Sequence, residues 1–160
     1  MMILGSSISE SVVRAPDGHR YRTITPNERV YRCCKMMLKR GMKSSCLSMC
    51  TYDKLNVEAL SSAYLRGECD VLSFGLLQLC VSRYKSHRAC CRARRVSRAC
   101  EQLCEPQRNP RADYSDYLPC AMTNIEKMVG CAYEYDRTHP AFVRLEPAMP
   151  FFSHRSTRSN

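Results

Sequence analysis

The sequence predicts an all-α, disulfide-rich fold in which two tandem helical half-repeats form one domain. Three observations predict it. All twelve cysteines lie within residues 33–131, a density that marks a covalent scaffold. Their spacing recurs along the chain. Between them, apolar residues return at intervals of three and four, which is the helical rhythm, and no alternating run is long enough to argue for a sheet.

The recurrence is clearest in the gaps. The first set runs Cys33-Cys34, eleven residues, Cys46, three, Cys50, eighteen, Cys69, ten, Cys80. The second runs Cys90-Cys91, eight, Cys100, three, Cys104, fifteen, Cys120, ten, Cys131. Two gaps are identical, and each of the others is shorter by three, close to one helical turn. The half-repeats therefore span about 25–82 and 83–137, joined near Ser82–Ser86.

Residues 1–24 are polar, hold Pro16 and Gly18 and lack periodicity, so a disordered N-terminal segment is expected there. The domain follows at 25–137. Thr25-Pro26-Asn27-Glu28 reads as a helix start, with Thr25 as the cap, proline at the first helical position and Glu28 three residues on. That helix should end near Gly41, a residue suited to the left-handed position. Around Cys69-x10-Cys80, Val71, Phe74 and Val81 fit a helix of about four turns. In the second half, Ala89, Ala93, Val96, Cys100 and Leu103 predict one continuous amphipathic helix. Leu118, Met122, Ile125, Val129 and Ala132 predict another about Cys120-x10-Cys131. Residues 138–160, with Pro140, Pro147 and Pro150, read as a largely disordered tail, although Phe142, Phe151 and Phe152 can dock part of it.

Helix geometry limits the cysteine pairing. Cys46 and Cys50 stand one turn apart, with β-carbons farther from each other than a disulfide allows. Cys69 and Cys80 are separated by about 16 Å along an axis. Cys33 and Cys34 point in different directions, so each should hold a different element. Eliminating these three pairs leaves about eight ways to close the first six cysteines, and bonds between halves stay open. Each bridge should then join separate helices. The competing zinc reading is poorer, because only the Cys-x3-Cys pairs have ligand spacing and vicinal cysteines suit a tetrahedral site badly.

These motifs closely resemble the nematode DB module, a twelve-cysteine extracellular domain. The resemblance rests on Cys33-Cys34, Cys46-x3-Cys50-Thr-Tyr-Asp, Cys69-x10-Cys80, His87-x2-Cys90-Cys91, Val96-x3-Cys100-x2-Leu103-Cys104 and Tyr117-Leu118-Pro119-Cys120-x10-Cys131, over about Asn27 to Asp136. It implies a secreted domain of a family that carries no assigned biochemical activity and sometimes stands beside immunoglobulin or fibronectin type III domains. The cysteine count likewise predicts an extracellular location. The amino terminus has no basic n-region, and its apolar run is too short for a leader, so the signal peptide is expected to be absent from this chain.

No cofactor, metal site or enzymatic activity is expected. His19, His87, His139 and His154 form no catalytic arrangement, with His87 suited to a helix start or the surface, and no phosphate loop, nucleophile elbow or HExxH occurs. No Asn-x-Ser/Thr sequon is present. The formal charge of +10 favours anionic partners. Arg88, Arg92 and Arg95 belong to a stretch without an acid and fall on one face of the continuous helix, a candidate anion-binding face for sulfated glycan or phospholipid headgroups. In that helix, Arg92-Ala93-Arg94-Arg95 would be closed to a furin-type protease. Tyr52, Tyr64, Tyr84, Tyr114, Tyr117, Tyr133 and Tyr135 suit either a binding face or core packing. The first expectation is a non-enzymatic interaction or structural module with an extracellular protein partner. The second is a basic effector of anionic membranes or glycosaminoglycan. Secretion argues against nucleic acid, and no run of about 20 apolar residues exists for a membrane span.

Overall fold

The computed structural model describes residues 11–106 and 118–147. These fall into two compact units, one of residues 11–23 and 142–147 and the other Ile24–Ala141.

Within the described residues, the first unit corrects the expectation of disordered flanks, while residues 1–10 and 148–160 lie outside them. Strands β1 (Val12–Arg14) and β2 (Arg20–Ile24) pair antiparallel, with Val12 opposite Arg22, and β3 (Ala141–Arg144) lies on the far side of β2. Pro16-Asp17-Gly18 makes the hairpin turn. The Ala15 amide donates to the His19 carbonyl, Asp17 accepts from the His19 amide, and Gly18 takes φ +81°. Proline, aspartate and glycine in that order are turn chemistry as much as a mark of disorder. Phe142 lies exposed in β3, while Phe151 and Phe152 lie outside the described residues.

The second unit is helical. Helix α1 (Pro26–Met37) opens as its sequence requires, with the Thr25 hydroxyl accepting from the Glu28 amide at 3.1 Å. A 3-10 turn, Leu38–Arg40, carries it to Gly41 at φ +101°. A second 3-10 segment, Ser44–Met49, and a short turn, Tyr52–Lys54, lead to α2 (Val57–Leu65), capped by Asn56. Helix α3 (Val71–Ser82), capped by Asp70, runs through the middle of the unit. Leu76, Leu77, Leu79, Cys80 and Val81 are all buried, so it is wrapped on every side. After a break come α4 (Arg88–Ala93), a 3-10 segment over Arg98–Cys104, and α5 (Leu118–Thr138), the long helix that packs on both halves.

All twelve cysteines close into six disulfides: Cys33–Cys80, Cys34–Cys50, Cys46–Cys69, Cys90–Cys131, Cys91–Cys104 and Cys100–Cys120. Within each set of six the order is first to sixth, second to fourth, third to fifth, and no bond crosses between sets. The pairs eliminated on geometry are indeed absent. Only Cys33–Cys80 and Cys90–Cys131 join two α-helices, since Cys34–Cys50, Cys46–Cys69, Cys91–Cys104 and Cys100–Cys120 each have an end in a 3-10 segment or loop.

The continuous helix expected over 89–103 does not form. Thirteen residues of α-helix would hold Cys91 and Cys104 about 20 Å apart, whereas their α-carbons lie 6.5 Å apart. The chain therefore reverses at Arg95, a non-glycine residue at φ +59°, and the Val96 amide returns to the Cys91 carbonyl at 2.9 Å. Gly41 makes the same turn in the first half, where the Met42 amide returns to Met37 at 3.1 Å. Gly41 and Arg95 each precede the next cysteine by five residues, so the three-residue shortening falls in the helix before the turn. Because a side chain resists this backbone region, Arg95→Gly is expected to raise stability by about 0.5–1 kcal/mol. Urea unfolding of the two proteins measures it.

Candidate functional site

Helices α3 and α5 run beside one another without closing the space between them. A partly enclosed cavity of about 110 Å³ remains, completed by Leu55 and Leu60 on one side and by Leu103 with Cys91 and Cys104 on the other. The α5 wall is the stripe read from the sequence: Leu118, Met122, Ile125, Val129 and Ala132, joined by Ala121 and Met128. Only Ala132 of these is fully buried. Met122, Ile125 and Val129 of this stripe pack against the core, and the stripe also borders open volume for much of its length. Val71, Phe74, Leu77 and Val81 of α3 face it. Leaving such a volume unfilled in an apolar interior costs about 2–3 kcal/mol.

No Asp, Glu, Lys or Arg lines this cavity. Gln78, Ser82 and His87 do, and each is already engaged. The Gln78 amide donates to the Leu103 carbonyl, the Ser82 hydroxyl donates to the Leu79 carbonyl at 3.2 Å, and a His87 ring nitrogen meets the Ser82 carbonyl at 3.0 Å. His87 also sits at the start of α4, as expected, with its ring edge-on to Tyr135.

Near the C-terminal end of α5 stands a buried ionic cluster. Asp136 Oδ2 accepts from Arg29 Nε at 2.8 Å and from the Tyr52 hydroxyl at 2.7 Å, while Arg83 lies 3.4 Å from Oδ1. These residues come from α1, the Tyr52–Lys54 turn and the residue after α3, so a single carboxylate ties α5 to the first half. Arg83 reaches it from a left-handed conformation at φ +54°, and its guanidinium also lies over the Tyr135 ring. The sequence pattern does not reveal this cluster, because its members are up to 107 residues apart.

The proposed arginine face is not assembled as expected. Arg92 makes two hydrogen bonds to Glu101, at 3.1 and 2.9 Å, and Arg88 pairs with Glu105 at 3.1 Å. Arg92's hydrogen bonds hold the Glu101 carboxyl below its ordinary range. Arg95 lies beyond the end of α4, so it does not share a helix face with the other two. The stretch has no acid of its own, but the following 3-10 segment folds back and supplies them. Arg92–Arg95 likewise runs past the helix end instead of lying within one helix, and Arg94 pairs with Glu134 at 3.0 Å.

Tyr52 is held in the ionic cluster, and Tyr64, Tyr84 and Tyr133 are exposed. Tyr114 and Tyr117 lie outside the described residues. The six disulfides consume every sulfur that a zinc site would need. Among the described residues no helix is long and apolar enough to cross a membrane. A family model described as DB module matches residues 33–132. No curated protein and no solved structure matches the chain.

Proposed function

The chain belongs to the DB module family, and from that premise we propose that it is a non-enzymatic, secreted interaction or structural module of the extracellular space, with an extracellular protein as its partner. The observation that carries this reading is the closure of all twelve cysteines into six disulfides. Reducing compartments do not maintain such a set, and a fully oxidised chain offers no thiolate nucleophile. The shared pairing order of the two sets supports its construction from two copies of one six-cysteine unit. Alkylation of the freshly isolated chain tests the reading. No cysteine should react before reduction, and all twelve should react after it. The oxidised chain, but not the reduced one, should bind cell surface or matrix saturably. Reactive thiols in native material would overturn the extracellular assignment.

A second reading, a basic effector of anionic membranes or glycosaminoglycan, draws on the +10 charge and on the surface exposure of Arg88 and Arg92. Their pairing with Glu101 and Glu105 leaves less charge for an outside anion. Replacing Arg88, Arg92 and Arg95 together by alanine should therefore shift the salt needed to elute the chain from heparin only slightly. Loss of retention in the triple variant, with a steep fall of the wild-type interaction above physiological ionic strength, would favour the second reading instead.

A further inference from the structure

We propose that the cavity between α3 and α5 is a binding site for one aliphatic chain of a free, uncharged lipid. The proposal does not depend on which extracellular partner the module has. Three properties of the wall define the ligand. The lining contains no carboxylate, ammonium or guanidinium, so nothing in it compensates the burial of a charged headgroup. The polar atoms of Gln78, Ser82 and His87 that bond the chain are committed to the Leu103, Leu79 and Ser82 carbonyls, which leaves a polar ligand little to gain. The volume of about 110 Å³ is smaller than the roughly 150 Å³ dry cavity that accepts benzene. Such a space encloses only the last few carbons of one slender chain, with the rest of the chain and its head passing out through the open side, and it excludes a fused ring system.

The site is also arranged to persist when empty. Cys91–Cys104 forms part of the wall, and Cys90–Cys131 fixes α4 to α5 beside it, so the walls do not have to be ordered by the ligand. Met122 and Met128 supply flexible, polarizable side chains that can settle around a chain of variable path. Ala121 is one of two alanines on the α5 wall and the one that is not fully buried, and enlarging it fills the volume from within.

The test uses the full, disulfide-intact chain carrying 13C-labelled methionine methyl groups, titrated with decanol. The Met122 and Met128 methyl resonances should shift saturably, while that of Met36, which is 65 % exposed on α1, should not. Ala121→Leu should weaken binding and Ala121→Phe should weaken it more, by at least about tenfold. The leucine variant preserves the test if the phenylalanine variant does not fold. Decanoate should bind less well than decanol, and added salt should leave decanol binding unchanged. Absence of a saturable shift, or equal binding by wild type and a folded Ala121→Leu variant, would overturn the proposal. Preferential sedimentation with phosphatidylcholine vesicles would assign the wall to membrane lipid, and a dimer dissolved by Ala121→Leu would assign it to a second copy of the chain. Either result also overturns it.

Discussion

Replacing Asp136 by alanine is expected to destabilise the protein by about 3–5 kcal/mol, measured by urea unfolding of the oxidised chain. The magnitude follows from what the carboxylate leaves behind. Its side chain is 1 % exposed, and that of Arg29 is 12 % exposed. Without Asp136, the Arg29 and Arg83 guanidiniums lose the counter-charge they share, and the Tyr52 hydroxyl loses a 2.7 Å acceptor. Asp136→Asn should cost less, because an amide oxygen still accepts from Tyr52 while the charge is gone. An alanine variant within about 1 kcal/mol of wild type would show that the cluster is not coupled to folding. The same cluster gives the pH dependence its sign. Burial first, and then the hydrogen bond to Asp136, raise the Tyr52 phenol above its ordinary value near 10. Its contribution is therefore complete below about pH 10 and is lost as pH climbs toward the folded value. Tyr52→Phe should flatten that alkaline decline.

Removing either Cys33–Cys80 or Cys91–Cys104 by paired alanine substitution is expected to cost about 3 kcal/mol. The two bridges close stretches of very different length, with sequence separations of 47 and 13. With Cys34–Cys50 and Cys46–Cys69 intact, however, the unfolded path from Cys33 to Cys80 runs through those bonds and shortens to about 16 residues, so restriction of the unfolded chain makes the two bridges worth nearly the same. Thermal and denaturant unfolding of the two double variants provides the comparison. A clearly larger loss for Cys91–Cys104 would show that folded-state packing around Cys91, a wall residue of the cavity, outweighs the loop.

What was legible in the sequence was local. Thr25, Pro26 and Glu28 start α1 through bonds spanning three residues, and Gly41 turns it because glycine tolerates that backbone. The α5 stripe is a property of one helix read alone, and it is correct. Arg95 shows the limit. It turns the chain as Gly41 does, yet it is a poor left-handed residue, and only the Cys91–Cys104 bond, invisible without the fold, requires the turn. The pairing of the arginines was hidden for a related reason, since Glu101 and Glu105 meet Arg92 and Arg88 only after the chain reverses. Pro16-Asp17-Gly18 was legible but ambiguous, because the same residues suit a hairpin and an unstructured tail. The cavity had no linear signature at all. A helix stripe does not reveal whether the surface it meets will fit closely against it.

The outermost cysteines of each set are joined to each other, Cys33 to Cys80 and Cys90 to Cys131. A pull on the two ends of the chain is therefore carried by these two bonds and never reaches the coils they bracket. Within residues 33–131 only the stretch from Val81 to Ala89 can lengthen, to about 30–35 Å when drawn taut. Between those cysteines the molecule behaves as a tether of nearly fixed length, with residues 34–79 and 91–130 shielded from load.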